Sequence, residues 1–276
     1  MPVKKRLSKQ PVQQQNDKGS RAVGQFAKSF RHDGRSAGEL RQIGFQRHFT
    51  KHAGGSVLVS FGNTRVLCTA MIERDLPPWL KAKGPGAGGW LTAEYAMLPS
   101  STLTRKKRDS SKPDGRSVEI QRLIGRALRS CIDLKQLEGG AGGLTLFVDC
   151  DVLQADGGTR TAAITGAWVA VADAVAAAKK AKLLPEGAEV LRQQVAAVSV
   201  GIVKGSVALD LDYVEDVDAH VDMNVAMLGD GTFVEVQGTG EHATFSEEQL
   251  REMLAVARGG IEDLHKLQLK SGAYWK

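Results

Sequence analysis

The chain has few means of holding itself together other than a core. Its three cysteines, Cys68, Cys131 and Cys150, are far apart, odd in number and without a Cys-x-x-Cys spacing. That excludes a disulfide framework and a zinc ribbon, and reads as buried free thiols in a reducing compartment. No run approaches the roughly 20 apolar residues of a membrane span. The N-terminus has no apolar signal core, so no membrane partner is expected and a cytoplasmic protein is the default. What remains is 276 residues with 42% apolar and 25% charged content, a globular composition large enough for one large or two small domains.

Charge is unevenly spread. Met1 to Lys51 holds twelve Lys or Arg against three Asp or Glu, while the whole chain, 37 against 31, nets only +6. The basic excess therefore belongs to the N-terminal segment. Residues 1 to about 29 are polar, glutamine-rich and without apolar periodicity, a disordered tail by composition. The basic extension as a whole is placed at residues 1–40. It suits a polyanion through phosphate charge, and equally a solvated extension with no role.

The chain is organised around Phe147 to Trp168, FVDCDVLQADGGTRTAAITGAW. An apolar run, Leu144 to Leu153, ends at Asp156-Gly157-Gly158, and a small-residue helical run, Ala162 to Ala178, follows Thr159-Arg160-Thr161. This reads as strand, tight turn and helix N-terminus. Glycines let backbone approach a ligand, and the first helical N–H groups lack intrahelical partners. Arg160 adds a forked cation at the same mouth, making a socket for an oxyanion such as phosphate. The same residues also suit an ordinary strand-to-helix turn with a surface arginine.

Ser56–Phe61 and Arg65–Met71 read as a hairpin around Gly62-Asn63-Thr64. A loop over Lys81–Gly89 precedes a strand at Trp90–Met97, and a polar stretch then carries Arg105, Lys106, Lys107 and Arg108. Such a run is either a solvated loop or a nucleic-acid contact. Asp114-Gly115-Arg116 opens a helix with Ile120, Leu123, Ile124, Ala127, Leu128 and Cys131 at helical spacing. The second half repeats the grammar: strands at Val195–Val203 and Val207–Val214, a hairpin at Val221–Leu228 and Thr232–Gln237, and a final helix capped by Ser246. The expected class is α+β, a pseudo-duplicated pair of two-layer units.

A second chemical cluster lies between those hairpins. Asp210 and Asp212 alternate with apolar residues, so they are placed on one face of the strand through Val214. Glu215, Asp216, Asp218 and Asp222 follow. Hard oxygen ligands suit Mg²⁺ or Mn²⁺, and solvated turn acids are the other reading.

The segments TKHAGGSVLVSFGNTRVLCTA, WLTAEYAMLPSSTLTR, GRSVEIQRLIGRALR, DCDVLQADGGTRTAAITGA, YVEDVDAHVDMNV, EVQGTGE and ARGGIE resemble the ribonuclease PH family, from about Arg47 to Glu262. The resemblance implies a phosphate-dependent 3′-to-5′ exoribonuclease that trims tRNA precursors and other RNA 3′ ends, releasing nucleoside diphosphates. It implies the family fold, with exoribonuclease domain 1 at residues 41–184 and domain 2 at 185–276 in one compact unit. It implies phosphate on Arg116, Gly158, Thr159 and Arg160. Asp216 and Asp222 are implied as the catalytic pair that holds a divalent metal, Mg or Mn. RNA contact falls to Arg105, Lys106, Lys107 and Arg108, and the implied assembly is a homohexamer, a trimer of dimers. Where the family commonly has Arg-Ser-Thr, this chain has Ser100-Ser101-Thr102. Two other classes are weighed against this reading. A silent RNA-binding ring subunit of an exosome-like assembly would have lost an arginine or an acid, and all are present. A small-molecule kinase would need a glycine-rich nucleotide loop, and no convincing one is found.

Overall fold

The structure, a computed structural model, describes residues 31–108, 114–138, 142–240 and 243–273. The tail over residues 1–30 and part of the Gly139–Gly143 break lie outside them. Two sheets form. The first is five-stranded, with order β1-β2-β3-β5-β4, from β1 (Ile43–Arg47), β2 (Gly55–Phe61), β3 (Thr64–Glu73), β4 (Trp90–Met97) and β5 (Thr145–Gln154). All its pairs are antiparallel except β4 with β5. The second is a four-stranded antiparallel sheet, with order β7-β6-β8-β9, from β6 (Val195–Val203), β7 (Ser206–Leu209), β8 (Val221–Leu228) and β9 (Phe233–Gly240). The helices are α1 (Pro78–Lys81), α2 (Gly115–Ser130), α3 (Thr159–Lys180), α4 (Tyr213–Asp218) and α5 (Glu247–Lys270).

Helix α3 explains how the halves become one body. It packs on β2 and β3 of the first sheet and on β6 of the second, and α5 covers the other face of β6. Seventeen of its 22 residues are buried, around its whole circumference. It therefore has no apolar stripe, as expected of a helix with neighbours all round. Small residues make the approach possible: a Cβ on Gly55 would fall 1.8 Å from the carbonyl oxygen of Ala170, so only glycine fits there. With a mean hydropathy of 1.5, α3 is long and apolar enough for a membrane span, contrary to the reading of the sequence, but 89% of that stretch is buried inside the protein. One continuous core joins both sheets to α2, α3 and α5. All three cysteines are buried and unbridged.

Local chemistry sets the boundaries. Asp114 caps α2 by accepting from the Ser117 amide, and Ser246 and Gln249 form a capping box on α5. Two expectations fail. The strand Val207–Val214 ends at Leu209, because Asp210 adopts a left-handed φ of 53° and Asp212 caps α4 through a capping box with Glu215. Asp210 and Asp212 thus share no strand face. The end of the proposed extension also belongs to the fold: within residues 31–40, Arg31, Arg35 and Ala37 are buried.

Candidate functional site

The Gly157-Gly158 turn lies where the sequence places it, between β5 and α3. Both glycines are left-handed, with φ of 73° and 63°. A Cβ on Gly157 would fall 2.5 Å from the Leu211 carbonyl oxygen, so the turn lies directly against the acidic segment. Thr64 holds it from β3: its hydroxyl accepts from the Asp156 amide at 2.9 Å and donates to the Gly157 carbonyl at 2.7 Å. Among the described residues no side chain caps the N-terminus of α3. Its first-turn amides are therefore arranged as an anion site with a partial positive charge.

Thr159 is buried and shares a 2.8 Å hydrogen bond with the Tyr95 hydroxyl of β4. Burial pushes the Tyr95 phenol up, against the opposing pull of Thr159 and of Arg116 and Arg160, so it stays neutral. Both guanidinium charges favour the phenolate form of Tyr95, though less than burial opposes it. Arg116 is exposed on the first turn of α2. Arg160 donates to Gln237 Oε1 at 3.0 Å and lies 3.6 Å from Glu119.

Register carries this mouth to the acids of the second sheet. Gln237 on β9 pairs with Asn224 on β8, which pairs with Ser199 on β6. All three therefore lie on one face, the face to which Gly158 also approaches Ser199. Asp222 lies two residues before Asn224 on the same face, takes a 3.4 Å hydrogen bond from its amide, and is half-buried. Asp216 is half-buried on α4, the helix that the capping box sets beside Gly157. Their carboxylate oxygens are the ligand type that a small divalent cation takes.

Asp210, Asp212 and Glu215 have other partners, which sequence reasoning missed. Arg31 forks onto Glu215, and Arg35 lies 3.4 Å from Glu215 and 3.8 Å from both Asp210 and Asp212. Arg41 takes both oxygens of Asp210. His32, Asp212 and Glu215 bring ligand atoms within 4.8 Å of one another, a spacing that suits a metal. Two buried guanidinium groups already neutralise those acids, so an added cation does not fit. Available signals were the +9 excess before residue 52 and buried acids in need of cations.

The basic loop is placed beside Arg116. Lys106 donates to Asp114 at 2.7 Å, and that contact, with the Ser117 amide, holds the Asp114 carboxyl down at about 2. Arg105, Lys107 and Arg108 are exposed, as is Ser100.

Residues 39–177 match the model of the 3′ exoribonuclease family, domain 1, and residues 193–260 match domain 2. Two curated proteins called ribonuclease PH, from Synechococcus strains JA-2-3B'a(2-13) and JA-3-3Ab, are each 54% identical over 239 residues. The match spans 86% of this chain and 95% or 96% of theirs. Among solved structures, rice Rrp46 superposes with a TM-score of 0.68 at 18% identity, covering 87% of this chain and 99% of that one. An Archaeoglobus fulgidus exosome with RNA bound to the active site gives 0.70 at 23%, covering 86% and 92%. At those identities the solved structures carry the fold alone.

Proposed function

The chain belongs to the 3′ exoribonuclease family and is a phosphorolytic 3′-to-5′ exoribonuclease with phosphate as co-substrate; from that premise we propose how its residues divide the work. Phosphate sits at Gly158, Thr159 and Arg160, with Arg116 closing the mouth. One observation carries this: a helix N-terminus with no side-chain cap among the described residues, behind two left-handed glycines, with Arg160 on its first turn. The site must hold a dianion beside an anionic phosphodiester, and guanidinium forks with helix amides offset that repulsion. Phosphoryl transfer then depends mainly on positioning, attacking and leaving oxygens being nearly in line.

Asp216 and Asp222 are the acids we assign to catalysis, holding Mg²⁺ or Mn²⁺. When bound, that ion would stabilise charge on the phosphoryl oxygens and the departing 3′ oxygen. We assign RNA contact to Arg105, Lys107 and Arg108, with Lys106 tethering their loop to α2. The substrates proposed are tRNA precursors and other RNA 3′ ends, and the assembly a homohexamer. A ring would gather several basic loops on one RNA at high effective concentration. We keep the domain division at 184/185 and a reducing, cytoplasmic setting, which the three buried thiols support.

The test is a 3′-extended tRNA incubated with and without phosphate. Nucleoside diphosphates that appear only with phosphate support the reading. Equal release of monophosphates in phosphate-free buffer refutes it.

A further inference from the structure

We propose that Arg41 is a positioning residue of the phosphorolytic site, presetting the Asp156–Gly158 turn by locking it to buried Asp210. The inference rests on the assignment of phosphate to that turn.

Arg41 stands just before β1, and its side chain is 5% exposed against 0% for Asp210. The two residues are gripped at three points. The Arg41 amide and Nε donate to Asp210 Oδ2 at 2.8 and 3.0 Å, and Nη2 donates to Oδ1 at 2.8 Å. The rest of the fork reaches the turn: Nη1 donates to the Asp156 carbonyl, and Nη2 lies 3.4 Å from that of Gly157. Arg41 therefore spans a carboxylate of the second half and the phosphate turn of the first. Only a planar guanidinium supplies donors in that layout; a lysine ammonium is a point charge.

The far anchor is rigid without Arg41. The Asp210 amide donates to the Ser199 carbonyl at 2.7 Å, and the Leu211 amide to Ser199 Oγ at 3.0 Å, which fixes the left-handed Asp210 to β6. The near end is the flexible one. Two consecutive glycines have the widest backbone freedom of any dipeptide. A trans peptide points its N–H opposite its carbonyl, so holding the Asp156 and Gly157 carbonyls aims the amides of Gly157 and Gly158 to the other side of the turn. Without Arg41 the described hydrogen bonds to these two carbonyls reduce to that of Thr64 on Gly157, and phosphate would have to order the Asp156–Gly157 peptide on binding. Arg41 touches no reacting atom in this account. It acts through the turn, so its loss should appear in phosphate affinity and not in RNA affinity.

The test uses the full chain and a short single-stranded RNA, with Arg41→Gln, Arg41→Lys, Arg160→Ala and Arg116→Ala. Initial rates across phosphate concentration give KM and kcat, fluorescence anisotropy gives RNA Kd without phosphate, and melting gives Tm. The expected result for Arg41→Gln is a phosphate KM raised about tenfold, with kcat at saturating phosphate and RNA Kd within about twofold. Arg41→Lys should fall between it and the parent. If Arg41→Gln does not fold, Arg41→Lys decides: a KM raised about threefold or more at near-parental Tm supports the proposal. A phosphate KM unchanged in the folded Arg41 variants, while Arg160→Ala raises it, overturns the proposal and leaves the phosphate site standing. A fall in Tm, kcat and RNA affinity together, with KM unchanged, shows a structural role only and also overturns it. An unchanged KM in Arg160→Ala and equally in Arg116→Ala removes the phosphate assignment itself, and the proposal falls with it.

Discussion

Arg160→Ala separates binding of phosphate from stability of the fold. In the free protein Arg160 is held by a 3.0 Å hydrogen bond to Gln237 and a 3.6 Å approach to Glu119, whose side chain is 51% exposed. An ion pair that open to solvent contributes about 0–1 kcal/mol, so truncation should change the melting temperature little. In the phosphate complex proposed above the same guanidinium meets a dianion. A charge-assisted hydrogen bond contributes about 1.5–3 kcal/mol, and each ~1.36 kcal/mol is tenfold, so phosphate KM should rise about 10- to 150-fold. Glu119 pushes the effect toward the upper end, because without Arg160 its carboxylate faces the incoming anion unneutralised. The assay follows nucleoside diphosphate release from a short single-stranded RNA across phosphate concentration, with RNA affinity measured separately and expected to hold. Arg160→Lys should recover part of the loss, keeping the charge without the fork. A phosphate KM within about twofold of the parent in both Arg160→Ala and Arg116→Ala would show that phosphate binds elsewhere.

Asp216→Asn and Asp222→Asn should each remove most turnover at unchanged melting temperature; an inactive Asp210→Asn beside two normal variants would mean the wrong acids were chosen. His265 on α5 is half-buried, and burial holds its pKa down at about 4. The folded state thus disfavours the proton, so this stabilisation is complete above about pH 6.5 and is lost as pH falls toward 4, roughly 2 kcal/mol between pH 8 and 5. Denaturant titrations at those two pH values should show a smaller difference in His265→Gln; an identical difference refutes the assignment. Deleting residues 1–29 should leave the oligomeric state and cleavage of a short RNA intact, whereas deleting through Arg41 should destroy activity, as light scattering and the short-substrate assay will show; equal outcomes would contradict the role given to Arg31, Arg35 and Arg41.

Local chemistry was legible in the sequence, and pairing across the chain was not. The Gly157-Gly158 turn, the Gly62-Asn63-Thr64 hairpin and the Asp114 and Ser246 caps are set by a few adjacent residues, and they stand where composition placed them. The acidic run misled because Asp210-Leu211-Asp212-Tyr213-Val214 alternates polar and apolar residues like a strand. The overriding signal was present: Asp212 followed by Glu215 three residues later is a capping box, and it starts α4. Helix α3 could not be read from periodicity, because it is buried on every side. Contacts of Arg31 and Arg41 with Asp210 and Glu215 span 169 to 184 residues, a separation no local pattern encodes.

Those long-range pairs change the electrostatic argument for RNA. Counted along the sequence, the first 51 residues offer twelve cations to a polyanion. In the fold Arg31, Arg35 and Arg41 neutralise Asp210, Asp212 and Glu215, and Arg47 forks onto Asp173. Charge spent inside the protein cannot release counterions from nucleic acid. The segment's net charge therefore overstates its reach toward RNA. The exposed cations of the 105–108 loop, beside Arg116, are the better source of attraction at the site itself. A salt dependence that drops when Arg105, Lys107 and Arg108 are neutralised, but not when Arg31 or Arg35 is, would distinguish charge at the RNA surface from charge that holds Asp210, Asp212 and Glu215 in place.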